Sequence, residues 1–549
     1  MSSSKKKQLR KEQYMTQRQA AAAQEAKKLK RYTLAFWVVI ILVASIFVGA
    51  VVSNPIKNVI YSNTKAMNVG SHTLTSVDVN YYYVDAVNKF VSENNQYLQL
   101  LIDTTKPLDE QVYNKETGAT WADTFLESAK QTIKTTYALY EAAQNKGHKM
   151  TDEESKSVDT AISNASLYAA IYGYSDLTAY LRAMYGNGAN EKSYRNYLEV
   201  AAMAQSYLTA YGSALEYTAQ DLLNFQSANP FRYNSFTFAS YTLNATEFRK
   251  GGTKDDKGNI TYSDEEKAAA IKDAEAAANK LLEGTYATLE ELDEAIKALE
   301  VNEGKKSAAA TRHEDVLYDE ISSSFQEWLI GKVENEENKD EPIYEVRKEG
   351  EMTLITNYSG SGDSKVITGY TLLRFGSVED NNFAMKNVRH VLIKFEGGSY
   401  NSSTGETTYT DAEKSAARKA AQKLLDDWVA AGDLSEESFA ELAKKNSKDG
   451  NAAEGGLYED VFPGQMVENF ENWLYDAERK VGDYGLVESP YGYHIMFFVG
   501  DSDTTFRDFM ITNVKRSEDV AAWRDALIAE TTLEVLTIKH VDMDLVLSH

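Results

Sequence analysis

The sequence predicts an α+β protein of several domains behind an N-terminal transmembrane helix. Three observations carry that reading: a repeat of strand-like and helix-like segments in the second half, a mostly helical stretch before it, and one long uncharged apolar run near the start. At 549 residues the chain is long enough for about three to five units, each with a core of its own.

The apolar run covers residues 32–52 (YTLAFWVVIILVASIFVGAVV), 21 residues without a charge. At 1.5 Å per residue it spans about 31 Å, close to the hydrocarbon thickness of a bilayer. Residues 1–31 hold ten Lys/Arg against Glu12 and Glu25. That excess sets the N-terminus in the cytoplasm and the bulk of the chain outside. Val48-Gly49-Ala50 would also suit a cleaved signal peptide, but the lengths of the apolar run and of the basic segment favour an uncleaved anchor. The expected location is therefore the cell membrane, crossed once.

Composition narrows the function. There are 58 Lys+Arg against 82 Asp+Glu, a net charge of −24, and the basic excess is confined to the first 31 residues. Nucleic acid is thus a poor partner. The absence of Cys excludes disulfides, thiolate metal sites and Cys nucleophiles, and seven His restrict the remaining metal and acid–base options. No G-x-S-x-G, H-E-x-x-H or P-loop motif supports a hydrolase.

Residues 54–230 predict a helical domain. Segments 77–103, 121–146 and 152–172 repeat apolar residues every three or four positions, and Gly186-Asn187-Gly188 marks a turn between two further helices. The tyrosines here (Tyr81, Tyr82, Tyr83, Tyr168, Tyr172, Tyr174) serve either core packing or an adaptable groove for extended polypeptide. Spacing alone leaves both readings open.

The repeat follows. GNITYSDEEK from Gly258 matches GETTYTDAEK from Gly405, 147 residues on. Each is preceded by an alternating apolar run (FTFASYTL from Phe236, VLIKF from Val391) and followed by an Ala/Lys/Asp-rich helix ending in Leu-Leu. A second helix starts at Thr288 and Ser435, then come Phe325-Gln326-Glu327-Trp328-Leu329 and Phe470-Glu471-Asn472-Trp473-Leu474. Gly369-Tyr370-Thr371-Leu372 and Gly492-Tyr493-His494-Ile495 open a closing strand. Both copies, residues 231–376 and 386–500, read as strand–helix–helix–helix–strand, with helices on an antiparallel sheet.

The second copy carries Val388-Arg389-His390-Val391-Leu392, Phe439-Ala440-Glu441-Leu442-Ala443, Ser447-Lys448-Asp449, Gly455-Gly456, Gly464-Gln465-Met466-Val467 with Phe470, and Tyr491-Gly492-Tyr493-His494-Ile495. In that order these segments resemble the parvulin peptidyl-prolyl isomerase family. The helical region behind an N-terminal anchor further resembles bacterial extracytoplasmic foldases of the PrsA and SurA type, which set parvulin domains around a helical chaperone domain. The resemblance implies isomerisation of X–Pro bonds in unfolded or partly folded exported polypeptides, a reaction that needs no nucleophile, metal or cofactor.

By that resemblance Met466 and Phe470 form the proline-ring pocket, an i, i+4 pair on one helix face that is also the pattern of ordinary core residues. His390 and His494 are the family's paired histidines, tuning site geometry, or else a hydrogen-bonded pair that organises the sheet. Asp449 holds the position of a Cys or Asp facing the substrate carbonyl; alone, it also reads as a solvated turn residue. The same resemblance has Gln465 donating to the substrate backbone and Tyr491 lining the site, where Tyr491 also reads as a cover for the sheet. Many members continue the double glycine with Asp-Leu-Gly and an aromatic residue; here Leu457-Tyr458-Glu459-Asp460-Val461 follows, and Leu457 replaces the usual wall leucine after a one-residue shift.

The first copy has Thr371 in the place of His494, and Asn234 or Ser235 near that of His390. It also carries the acidic insertion ENEENKDE from Glu334. It is expected to keep the fold without the activity. After residue 500, segments 505–514 and 518–534 read as helical, and residues 501–549 are expected to return to the helical domain, being too short for a core of their own. Two functional classes remain: an anchored isomerase and chaperone, or a non-catalytic holdase whose parvulin-like domains only bind unfolded polypeptide.

Overall fold

The computed structural model describes residues 55–547, apart from 306, 334–342 and 346. The expected membrane span lies outside these residues, and none of the described helices is long and apolar enough to cross a membrane. The chain divides into a helical unit, residues 55–218 with 513–547, and an α+β unit, residues 219–512.

The helical unit comprises α1 (Pro55–Asn63), a strand pair β1 (Lys65–Val69) and β2 (His72–Thr75), and helices α2 (Ser76–Glu93), α3 (Trp121–Asn145), α4 (Asp152–Ile171), α5 (Leu177–Tyr185) and α6 (Glu191–Ser213). Thr75, Thr120 and Thr151 open α2, α3 and α4 with capping boxes whose acidic partners are Asp78, Asp123 and Glu154. The 77–103 segment is not one helix: α2 ends at Glu93, where Asn94 turns its side chain back onto the Phe90 carbonyl. Helix α2 is buried nearly all round, and its Tyr81, Tyr82 and Tyr83 are 0–4% exposed. These three tyrosines are core, and Tyr81 stacks on Tyr197 of α6 with ring centres 5.0 Å apart. The chain's last segment joins this unit. Leu533–Val535 pairs with β1, and Val541, Leu545 and Leu547 enter the core.

The α+β unit opens with α7 (Ala219–Ala228) and holds two modules. The first consists of β3 (Ser235–Asn244), α8 (Asp264–Leu282), α9 (Leu289–Lys297), β4 (Thr311–Leu317), α10 (Ser323–Leu329), β5 (Met352–Ser359) and β6 (Val366–Glu379). The second repeats it as β7 (Ala384–Lys394), α11 (Asp411–Ala431), α12 (Glu436–Asn446), β8 (Leu457–Val461), α13 (Glu468–Leu474), β9 (Tyr484–Ser489) and β10 (Gly492–Thr505). The sheet orders are the same, β4-β3-β6-β5 and β8-β7-β10-β9, with every pairing antiparallel. Each module therefore has two strands more than the sequence pattern suggested. The edge strands TRHEDVL and LYEDV carry acids where an alternating apolar strand was sought, as edge strands commonly do. The chain ends with α14 (Phe506–Glu530) and β11 (Leu533–Val535).

Alternation along β7 and β10 gives the second sheet two apolar faces. Val391, Ile495 and Phe497 meet Trp428 of α11 and Phe439 of α12 on one side. Val388, Met496 and Phe498 meet Phe470 and Leu474 of α13 on the other. His390 and His494 share this second face, because they stand opposite Met496 and Leu392 in the ladder.

Candidate active site

The two imidazoles face each other in the middle of the sheet. Their Nδ1 atoms lie 2.9 Å apart and their rings stack with centres 5.1 Å apart. His390 is 2% exposed and His494 5%. His494 Nε2 lies 2.8 Å from Ser489 Oγ at the end of β9, while His390 Nε2 faces Asp449 Oδ2 at 3.4 Å, without the alignment of a hydrogen bond. The Asp449 oxygen also accepts the Tyr458 hydroxyl at 2.8 Å. One imidazole donates to the other across the Nδ1–Nδ1 contact, and the Ser489 hydroxyl, which also donates to the Gly492 carbonyl at 3.3 Å, anchors the far side of His494.

Electrostatics follow from this packing. Burial, reinforced by the neighbouring His390, pushes the His494 pKa down to about 3. Contact with His390, with a further contribution from the Tyr458 hydroxyl, holds the Asp449 carboxyl well below the usual carboxylate range despite partial burial. Burial and the adjacent Asp449 push the Tyr458 hydroxyl upward. At neutral pH the site thus sets an ionised Asp449 carboxylate beside a buried histidine pair whose His494 ring is neutral.

Phe470 closes the array from α13. Its ring stands edge-on to His390 at 5.4 Å and to His494 at 5.5 Å, and it is 2% exposed. Phe470 is therefore the floor beneath the histidines rather than an open wall. Half-buried Met466 shares its apolar cluster. Glu471, 1% exposed, accepts the backbone N–H groups of Gly464 and Met466, each at 2.8 Å, and so fixes the loop that presents Met466.

The remaining expected residues sit less centrally. Gln465 is exposed and its Oε1 accepts the Phe462 N–H within its own loop at 3.2 Å. Tyr491 is 62% exposed at the β9–β10 turn, where its backbone N–H donates to Ser489 Oγ at 3.1 Å. Leu457 pairs with Arg389 in the ladder, so its side chain shares the face opposite the histidines; the neighbour on the site face is Tyr458, paired with Val388. A one-residue shift was expected to bring up a leucine, and alternation brings up a tyrosine instead. Tyr458, Ser489 and Glu471 were not read from sequence. The first follows from period-two alternation in LYEDV and the second from closing the β9–β10 hairpin, whereas Glu471 carried no signal.

Loop 447–456 seals the outer side of β7. The Leu392 N–H donates to Ser447 Oγ at 3.1 Å, the Lys448 N–H to the Leu392 carbonyl at 2.9 Å, and the His390 N–H to the Gly456 carbonyl at 2.9 Å. Gly456 lies so close, at φ +68°, that a Cβ would stand 2.1 Å from the His390 carbonyl oxygen.

In the first module the same ladder counts back from Gly369, opposite Asn244, as Gly492 stands opposite Lys394. It puts Thr371 in the place of His494 and Ser240, not Asn234 or Ser235, in that of His390. Thr371 bonds Thr242 and Asn357 at 2.8 and 2.9 Å, and Ser240 Oγ bonds His313 Nε2 at 2.8 Å. Hydroxyls fill the space that imidazoles occupy in the second module.

Fold and site together define a parvulin-type domain, and residues 370–501 match the family described as the PPIC-type PPIASE domain. More particularly, the chain is similar to foldase protein PrsA 1 of Listeria monocytogenes serotype 4b (strain F2365) and of Listeria innocua serovar 6a, at 42% identity over 64 residues, 12% of this chain and 22% of each relative. The match thus spans about a fifth of the length of these curated relatives. Among solved structures, PrsA from Bacillus subtilis aligns over 75% of this chain and 88% of its own, at 14% identity and a TM-score of 0.24. PrsA from Bacillus anthracis aligns over 27% of this chain and 59% of its own, at 23% identity and a TM-score of 0.17.

Proposed function

We propose that this protein is a membrane-anchored, extracytoplasmic peptidyl-prolyl cis-trans isomerase and chaperone that assists the folding of exported proteins. The observation that carries the reading is the buried Ser489–His494–His390–Asp449 array with Phe470 edge-on to both rings. An X–Pro bond faces a rotation barrier of about 18–20 kcal/mol set by amide resonance. A catalyst must bind the twisted amide better than either planar form. Half-buried Met466, resting in one apolar cluster with the Phe470 floor, suits the pyrrolidine ring. The Asp449 carboxylate disfavours the negative charge that resonance places on the carbonyl oxygen and so favours the twisted state. No proton is transferred, so the buried histidine pair serves to orient the carboxylate and the floor of the site.

The 21-residue run at 32–52 and the basic segment before it support the anchor and its orientation. Exposed Leu100, Leu167 and Ile171 on the helical unit, 57–83% accessible, support the chaperone part and favour the holdase as the second reading. A protease-coupled isomerisation assay on an Ala-Pro peptide tests the first. Wild-type chain should accelerate exchange, and Met466→Ala plus Phe470→Ala should return it to the uncatalysed rate. Equal rates for both chains would refute the isomerase reading and leave the holdase.

A further inference from the structure

The helical unit contains a cleft of about 410 Å³ between α6 and α14, lined by Leu208 and Gly212 from one helix and by Arg516, Val520, Ala521 and Arg524 from the other. In a chain with a net charge of −24, none of the residues lining this cleft is acidic. The nearby Asp519 is engaged by Lys515 and by the Tyr217 hydroxyl, both at 2.9 Å. Arg516 makes no carboxylate contact among the described residues: its Nη1 reaches Asn513 Oδ1 at 3.4 Å, and its buried Nε has no hydrogen-bond partner. Among the described residues Arg524 is tied only to its exposed neighbour Asp525 at 2.9 Å, a surface pair of small energetic worth. Two guanidinium groups therefore flank a strip of Leu208, Val520 and Ala521, bordered by the polar Thr209, Ser213, Asn513 and Ser517, with room for anionic partners.

The spacing is specific. Arg516, Val520 and Arg524 follow at four-residue intervals along α14, which sets them about 6 Å apart along the axis, about 12 Å in all. An extended polypeptide rises about 3.3 Å per residue and turns alternate side chains to one side, so positions i, i+2 and i+4 lie about 6.6 Å apart. We infer that this cleft binds an extended polypeptide segment of the pattern acidic-x-apolar-x-acidic, its two carboxylates on Arg516 and Arg524 and its central apolar side chain on Val520 and Leu208. Gly212 deepens the strip at its centre, where a Cβ would meet Val520 Cγ2 at 3.2 Å. The inference rests on the chaperone reading, for which it names a class of client segment.

Fluorescence anisotropy with labelled seven-residue peptides, Ser-Glu-Ser-Leu-Ser-Glu-Ser against its Lys-for-Glu and Gln-for-Glu counterparts and a version with adjacent glutamates, tests this on the full chain. The spaced acidic peptide should bind at least ten-fold tighter than the other three. Arg516→Gln plus Arg524→Gln should abolish that preference, and Arg516→Lys plus Arg524→Lys should restore part of it. Prolyl isomerisation of a short Ala-Pro peptide should be the same in all three chains. Equal binding of the four peptides, unchanged binding by the double Gln variant, or displacement of the spaced peptide by millimolar inorganic phosphate would overturn the proposal. A wild-type chain that binds the spaced peptide but lacks isomerase activity would count against the isomerase alone.

Discussion

The protonation of His494 gives the sharpest handle on the site. Its folded pKa of about 3 lies some 3.5 units below the ordinary value of 6.5, with burial as the main cause. The native ring stays neutral while the unfolded chain takes up a proton below pH 6.5, so the unfolded state binds more protons and stability falls as pH falls. The slope is about 1.36 kcal/mol per pH unit, or about 2 kcal/mol lost between pH 6.5 and 5, and the loss ends once the pH passes below about 3. The depressed Asp449 carboxyl acts in the same direction, with stability present above its unfolded value near 4 and lost below it, outside the pH 5–6.5 window. Half-buried His313 in the first module has a lowered pKa too, so the difference between wild type and His494→Asn isolates the ring in question. NMR of chains carrying ring-labelled histidine should show the His494 Hε1 resonance unmoved from pH 8 to 5. Urea unfolding of the two chains should differ in pH slope by about one proton. An inflection of that resonance between pH 6 and 7, or identical slopes, would refute the argument that packing holds His494 neutral.

Phe470→Leu keeps most of the buried volume and should cost about 1 kcal/mol in urea unfolding while lowering isomerisation at least ten-fold, because the edge contact to both rings is lost. Asp449→Asn removes the charge facing His390 and should reduce isomerisation by a similar factor; ultraviolet titration should show the Tyr458 hydroxyl ionising at lower pH than in wild type. Gly456→Ala places a Cβ against the His390 carbonyl at positive φ and should lower stability by about 2 kcal/mol or more, read as a drop in Tm. In a chain carrying Met466→Ala plus Phe470→Ala, residues 231–376 should contribute no isomerisation, since Thr371 and Ser240 replace both histidines there.

Much of this was legible because the informative residues lie at fixed places in a repeated pattern. Gly369 and Gly492, each opening a closing strand, sit in equivalent positions of the two ladders, and the Phe-x-x-Trp-Leu helices match as α10 and α13. What escaped depended on pairing between distant segments. The edge strands β4 and β8 carry too many charges to read as strands until β3 and β7 are beside them. The place of His390 in the first module needed the register, which local alternation does not set across a gap of some 130 residues. Leu457 and Tyr458 were confused for a similar reason: neighbours in a strand point to opposite faces, and one residue of doubt exchanges them. Ser489 and Glu471 act through short-range bonds to atoms whose positions only the folded hairpin and loop define.

The sealed flank of β7 bears on how such a protein survives its company. A protein with a bare strand at the edge of a sheet is at constant risk of being recruited into the aggregates of other chains. Ser447, Lys448 and Gly456 occupy the main-chain groups of Leu392 and His390 that an intruding strand would seek. The backbone of β7 along this flank is therefore already paired, and no free strand edge is left beside the histidines between His390 and Leu392.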